Sequence, residues 1–249
     1  QKFEESQRIR ICYFTQTVKN ISLTRNVAVE KASGDYILFI DDDEVASEKW
    51  VYYLLKTICQ FNVDGAIGPV FPEFNPMTPK WMKRRELFYL PVAGTGQKAM
   101  MYYTSNCIFR ANVLKEIEAP FDPRYGITGG EDTHLFDRLE QQGARFVYCK
   151  EALVTEYLPP DRTSVSYLFK RALKGGNAHT RRIIEFTASK KMFIRLFMVC
   201  KSIGLGSASL ILMLSRCTSP LQRTKWLMKL ASNFGRFLAA IGYHYQNYR

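Results

Sequence analysis

Two groups of carboxylates carry the chemical interest of this chain. Asp41-Asp42-Asp43-Glu44 follows the apolar run Tyr36-Ile37-Leu38-Phe39-Ile40, and Glu131-Asp132 follows Gly129-Gly130. Adjacent anions repel, and a divalent cation that prefers oxygen is one relief. Asp-x-Asp at a strand end is how a site holds Mg2+ or Mn2+ against a diphosphate. The other reading is an acidic turn that caps the next helix, because Asp, Glu and Ser47 all suit a helix start. These residues alone leave both readings open. Glu131-Asp132 has the same ambiguity. It is either a favourable first helical turn or a base that the helix N-terminus keeps deprotonated at neutral pH by lowering its pKa. A metal-bound leaving group at one cluster and a general base at the other is what displacement at an anomeric carbon needs. The two clusters lie far apart in sequence, so only the fold can bring them together.

The elements that must position these groups follow an α/β pattern. A run that is apolar on both faces reads as a strand between two helical layers, so 36–40 is expected in a parallel sheet, and ligands in such sheets sit beyond the carboxyl ends of the strands. Further strands are predicted at 9–14, 66–71, 102–110, 145–149 and 153–157. Asn20 to Asn26 reads as a loop entering a helix that runs to Ala32 and ends at Gly34. Helices are also predicted at 47–61, 111–117 and 131–143, and a short one near 79–89. The first of these carries Trp50, Leu54, Leu55 and Ile58 in one apolar stripe. Strand-helix alternation over the first 157 residues predicts an α/β fold with one mostly parallel sheet flanked by helices.

The formal net charge of +12 is uneven: no Asp or Glu follows Glu185, whereas ten Lys or Arg do. The six cysteines show no C-x-x-C spacing, which argues against a zinc site or a disulfide framework and for a reducing compartment. Ser202 to Ser215 is uncharged and largely apolar. At about 1.5 Å per residue its fourteen residues cover about 21 Å, short of the roughly 30 Å hydrocarbon core. An interfacial or re-entrant helix is therefore expected rather than a span. Trp226 to Tyr245, with Lys229 and Arg236, has the residues of a helix on an anionic leaflet; the alternative is a helix pair packed on the core. The chain accordingly divides into 1–185 and a basic helical tail, 186–249.

The order of motifs resembles family 2 glycosyltransferases of the GT-A fold, nearest to the bacterial exopolysaccharide branch of the succinoglycan glucosyltransferase type. The matching pieces are Ile21-Ser-Leu-Thr-Arg-Asn26, Gly34-Asp35, Leu38 to Glu44 with Trp50, Gly68-Pro69-Val70, Pro79-x-Trp81 and Thr104-Ser-Asn106. They continue through Phe121-Asp122, Gly129-Gly-Glu-Asp-Thr133 and Val154-x-Glu156, and end with Pro159, Arg162, Arg171 and Gly175. The resemblance implies a UDP-sugar donor, with Asp41 at the ribose or metal, Asp43 on Mn2+ or Mg2+, and Arg25, Asp42 and Asn106 at the nucleotide-sugar. It implies Asp132 as the base, Glu131 orienting the acceptor, and inversion at the sugar. The acceptor it implies is a glycan or lipid-diphosphate-linked oligosaccharide at the cytoplasmic face of the inner membrane, in cell-surface glycan biosynthesis.

Lesser candidates are Arg162 and Arg171 for a diphosphate, Trp81 for a sugar ring, and His134 and His179 as ligands; each has a packing or solvated-charge alternative. The family's opening strand and uridine-cradling segment do not precede Ile9, so N-terminal strands are expected to be missing from this chain. Two rival functions stay in view. One is a non-catalytic sugar or nucleotide-sugar binding module. The other is nucleic-acid binding, disfavoured because the basic residues sit among apolar ones with no nucleic-acid motif.

Overall fold

The computed structural model describes residues 10–89, 92–187, 189–215 and 219–245. The first helix, α1 (Ile21–Lys31), starts at Asn20, whose side chain accepts from Leu23 N at 3.2 Å and donates to Pro123 O at 3.0 Å. Farther along the helix, Asn26 exchanges two hydrogen bonds with the backbone of Phe121, at 2.8 and 2.9 Å. The segment expected as a loop is thus a helix whose two asparagines grip the distant 121–130 loop. Residues 10–19 form no strand, and Tyr13 and Phe14 are exposed, so the strand predicted at 9–14 is not observed over its described part.

β1 (Tyr36–Ile40) leads through a tight acidic turn to β2 (Glu44–Ala46) and α2 (Trp50–Phe61). β3 (Gly65–Ile67) and β4 (Val70–Phe74) are separated at Gly68-Pro69. β5 (Asn106–Arg110), α3 (Ala111–Lys115), α4 (Glu131–Gln141), β6 (Phe146–Tyr148) and β7 (Val154–Leu158) complete the body. The helix expected near 79–89 is only a 3-10 turn, Arg85–Leu87, within an irregular stretch that buries Met82, Leu87 and Phe88.

The strands form two sheets, β1-β5-β3-β6 and β2-β7-β4. Only β3–β6 and β4–β7 run parallel; β1–β5, β3–β5 and β2–β7 are antiparallel. The expectation of a mostly parallel sheet is corrected to two mixed sheets. The reason is physical. Ile37 and Phe39 pack into one apolar cluster with Phe109, Phe121 and Phe136, while Tyr36 and Leu38 pack into another with Leu54 and Ile58. The apolar run reports these two covering layers, but it carries no information on the direction of the neighbouring strand.

Beyond the sheets lie α5 (Val165–Glu185), α6 (Lys191–Ser215) and α7 (Pro220–Ala240). The backbones of α5 and α7 approach closely: a Cβ on Gly176 would lie 2.0 Å from Ser232 O, and one on Gly235 would lie 2.0 Å from Leu173 O. α7 also packs Leu221 and Met228 against the body beside Trp81 and Val165. α6 buries Met198, Ser202 and Ser209 and exposes Phe193, Leu196, Phe197, Ile203, Ile211 and Leu214. It begins at Lys191 rather than Ser202, so its 25 residues extend about 37 Å. The expected shortfall against a bilayer therefore disappears: α6 is long and apolar enough to cross one by length and composition.

Candidate active site

Antiparallel pairing of β1 with β5 and of β2 with β7 brings the acidic turn at 41–44 to the junction of the two sheets. In that turn Glu44 N donates to Asp41 O at 3.2 Å, and Asp41 N donates to Glu44 Oε2 at 3.1 Å. Glu44 faces Glu156 across the β2–β7 pair. Like charges directly opposite are unfavourable in such a pair. Burial, with the added repulsion of Asp41, Glu156 and Asp43, pushes the Glu44 carboxyl up to about 8. Burial also raises Glu156 and Asp41.

Arg162, in the 3-10 turn Pro160–Arg162 between β7 and α5, is the cation set against this cluster. Its Nη1 lies 2.7 Å from Asp43 Oδ2 and 2.8 Å from Glu156 Oε1. Asp42 is exposed on the turn and has no side-chain partner among the described residues. The carboxylate oxygens of Asp41, Asp43, Glu44 and Glu156 are hard donors, and burial first, with mutual repulsion added, raises Asp41, Glu44 and Glu156, carboxylates that a cation would stabilise in the charged form. Both features fit Mg2+ or Mn2+.

The second acidic group sits at the start of α4. Gly129 and Gly130 take φ of 78° and 91°, a left-handed conformation open to glycine, and so turn the chain into the helix. Glu131 is buried, and its Oε1 binds Arg25 Nη1 at 2.6 Å. Its other oxygen, Oε2, is buried with no partner among the described residues. Asp132 Oδ1 accepts from Thr133 N at 2.6 Å and from Thr133 Oγ1 at 3.3 Å. The expected lowering of the pKa by the helix start does not win. Burial raises both carboxyls above their ordinary range, against the Thr133 hydrogen bonds and the Arg25 charge.

Arg25 joins the two groups. Its Nη2 lies 3.5 Å from Asp41 Oδ1, and its guanidinium lies 5.6 Å from the Phe121 ring centre. The predicted residues Arg25, Asp41, Glu131 and Asp132 therefore belong to one site, with Asp43 on the same turn as Asp41.

Asn106 does not fit the ligand role expected of it. It is fully buried, and its Oδ1 accepts from Trp50 Nε1 at 2.8 Å. Its Nδ2 donates to Pro69 O at 2.9 Å and to Ala152 O at 2.8 Å. Both amide hydrogens are thus used on the links that enter β4 and β7, the side-chain oxygen holds α2, and Gly68 leaves the space: a Cβ there would lie 2.6 Å from Asn106 Nδ2.

The remaining candidates resolve into packing. His134 stacks on Tyr125 with ring centres 4.6 Å apart and lies near Asp122 and Glu185. Arg124 spans those two carboxylates at 2.6 and 2.8 Å, and the Tyr125 hydroxyl donates to Glu185, so the cluster fastens the 121–130 loop to α5. His179 is half-buried and lies among Arg236, Arg182 and Lys201; its partial burial first, and those charges second, push it down to about 4, and a metal ion is disfavoured there. Arg171 lies 5.4 Å from the Tyr89 ring centre. Arg162 and Glu156 were legible only as members of the motif series. No spacing rule pairs them with Asp43, because the contact depends on the β2–β7 pairing.

Residues 1–118 match the family described as glycosyl transferase family 2. The chain is 33% identical over 167 residues to the succinoglycan biosynthesis protein ExoM of Rhizobium meliloti, covering 67% of this chain and 54% of that protein. It is 28% identical over 182 residues to a glucosyl-dolichyl phosphate glucuronosyltransferase of Haloferax volcanii, covering 67% of this chain and 56% of that protein. The chain thus spans about half the length of these relatives. Among solved structures, the mannosyltransferase PcManGT from Pyrobaculum calidifontis, in complex with GDP-Man and Mn2+, matches 86% of this chain and 64% of its own, with a TM-score of 0.50 and 13% identity. The architecture is of the GT-A glycosyltransferase type.

Proposed function

This chain carries a glycosyl transferase family 2 domain, and from that premise we propose that it belongs to an inverting glycosyltransferase. It moves a hexose from a UDP-sugar to a glycan carried on a lipid phosphate. The observation that carries the reading is the convergence of both acidic groups on Arg25, beside the unpartnered Glu131 Oε2. An acceptor hydroxyl that donates to that oxygen is held next to Asp132. Asp132 takes the hydroxyl proton as the acceptor oxygen bonds to the anomeric carbon. The bond from that carbon to the diphosphate breaks, and its electron pair leaves with the diphosphate. One base and one in-line displacement invert the centre, by the stereochemical logic that also governs glycosidases.

Asp41 and Asp43 are the residues that would hold Mn2+ or Mg2+, and the metal when bound neutralises charge on the leaving diphosphate. Arg162, once displaced from Asp43, is within reach of the same charge. Arg25 keeps Glu131 oriented and counters the negative charge between the two halves of the site. The ExoM relative, by its name, takes part in succinoglycan biosynthesis, which supports a glycan acceptor, and the Haloferax relative, by its name, acts on a glucosyl-dolichyl phosphate, which supports a lipid phosphate as its carrier. The exposed apolar face of α6 and the absence of acidic residues after Glu185 support docking at the cytoplasmic face of a bacterial cell membrane, with 186–249 as the membrane-facing part.

The test is calorimetric titration of UDP-glucose, UDP-galactose and UDP into the full chain with Mn2+ and with chelator, followed by turnover of the best ligand. Metal-dependent binding with release of UDP is expected. Binding without turnover on any acceptor would favour a non-catalytic nucleotide-sugar module, and no binding would overturn the reading.

A further inference from the structure

A cleft of about 270 Å³ opens where the irregular stretch after β4 meets the last turn of α6 and the first turns of α7. Its apolar walls are Trp81, Val165, Met213 and Leu227, and its polar members are Arg223 and Thr224. Arg223 is exposed and has no carboxylate partner among the described residues, whereas the neighbouring Lys225 is paired with Glu86 at 3.4 Å. Apolar walls with one uncompensated guanidinium suit a ligand that is apolar along its length and anionic at one end.

The cleft is joined to the catalytic residues by a short piece of chain. Val165 is the first residue of α5, and Arg162, in the turn just before it, holds Asp43. On its other side Met213 belongs to α6, where Ile211 and Leu214 stand exposed on either side of it in sequence. The volume lies just below the roughly 300–1,000 Å³ typical of small-molecule pockets. It has room for a phosphate and the first few carbons of a chain, and the remainder would run out along the exposed face of α6.

We infer that this cleft seats the phosphate end of the lipid carrier of the acceptor, with Arg223 on the phosphate and Trp81, Val165, Met213 and Leu227 around the first carbons. The inference rests on the transferase reading for the identity of the lipid as acceptor carrier. The site itself is testable without turnover. A carrier seated there places its glycan toward the Arg162 turn, and the chain need not leave the membrane face for transfer to occur.

Equilibrium dialysis of the full chain against dodecyl phosphate, below its micelle concentration, tests the site. Dodecanol and inorganic phosphate serve as half-ligand controls, and phosphatidylglycerol vesicles as the alternative source of a phosphate. Saturable binding of dodecyl phosphate is expected, with neither half-ligand competing effectively. Arg223→Gln, an exposed change that leaves the packing intact, and Leu227→Asp should each weaken it about tenfold or more. Binding that both variants leave unchanged, or no binding, overturns the inference. So does a phosphatidylglycerol interaction that carries the whole Arg223 effect, because the cleft would then serve bulk lipid. UDP-sugar turnover onto a soluble acceptor, measured in Arg223→Gln, separates the two readings. Turnover retained with dodecyl phosphate binding lost supports the cleft; dodecyl phosphate binding with no turnover in any form sinks only the transferase reading.

Discussion

Arg25 and Glu131 form a 2.6 Å ion pair between the first helix and the first turn of α4, and the same guanidinium lies 3.5 Å from Asp41. A single cation therefore stands between the turn expected to hold the donor and the pair expected to activate the acceptor. Both Arg25 and Glu131 are largely withdrawn from solvent, with 13% and 7% of their side-chain areas exposed, so neither charge is well screened by water.

Removing that cation leaves a buried carboxylate without its partner. Arg25→Met is expected to cost about 3–5 kcal/mol of stability, the usual penalty for breaking a buried pair. Thermal and urea unfolding would measure it. A loss below about 1 kcal/mol would mean that water replaces the guanidinium and that Arg25 is not the internal counter-ion described here.

Asp132→Asn keeps the shape of the site and removes the base. A fall in kcat of about 10²–10⁴ is expected, the usual contribution of a positioned general base, with UDP-sugar affinity retained. Steady-state rates and calorimetry on the same preparation check both halves. A loss below tenfold would move the base elsewhere.

The pH dependence follows from the raised carboxyls of Glu131 and Asp132. A raised pKa keeps the proton on to higher pH, so the base is lost as pH falls through a value above the ordinary carboxylate range. The acid limb of kcat/KM should lie above that range, and the midpoint belongs to the pair rather than to either residue. The linkage has the opposite sense for stability. Between the ordinary and the raised values the folded state holds more protons than the unfolded one, so these two groups make the protein less stable as pH rises. In Arg25→Met, which lacks the nearby positive charge, the acid limb should move up by about one unit or more. Rate profiles of wild type and variant test this, and superimposable limbs would contradict it.

The helices at 47–61 and 131–143 and the acidic signals were readable from the sequence, but the long α5 and the contacts that join these elements were not. The stripe of Trp50, Leu54 and Ile58 marked α2, and the glycines at 129–130 marked the entry to α4, because both are local patterns. The apolar run at 36–40 revealed two covering layers but not an antiparallel partner, since strand direction is set by chain topology. Arg25, Glu131 and Asp41 meet only through the grip of Asn20 and Asn26 on the 121–130 loop, and no spacing encodes that. The pKa of Glu131 and Asp132 was misjudged for the same reason. The favourable helix start is local, whereas the burial that outweighs it comes from the rest of the fold.

Arg162→Ala should separate metal binding from donor binding. Its Nη1 holds Asp43 and Glu156, and the side chain is 37% exposed. A pair of that exposure is worth about 1 kcal/mol at most, so Mn2+ affinity without nucleotide should rise by up to about fivefold. UDP-sugar affinity should fall, because the cation available to the diphosphate is gone. Electron paramagnetic resonance titration of Mn2+ and calorimetry of the donor read the two effects separately. A fall in both would make Arg162 a support for the turn rather than a placeholder for the metal.

Asn106 distinguishes a bracing residue from a ligand. Asn106→Ala removes three hydrogen bonds and takes those partners from Trp50 Nε1 and from the carbonyls of Pro69 and Ala152, of which Pro69 O keeps its bond from Val154 N. At about 1 kcal/mol per bond the cost is about 3 kcal/mol, or on the order of 10 °C in Tm for a chain of this size. The folded fraction should bind UDP-sugar with unchanged affinity, because the amide is turned entirely to protein partners. Calorimetry well below the Tm of the variant decides the matter. If affinity fell while Tm held, Asn106 would contact the donor and its bonds to Pro69 and Ala152 would have to open on binding.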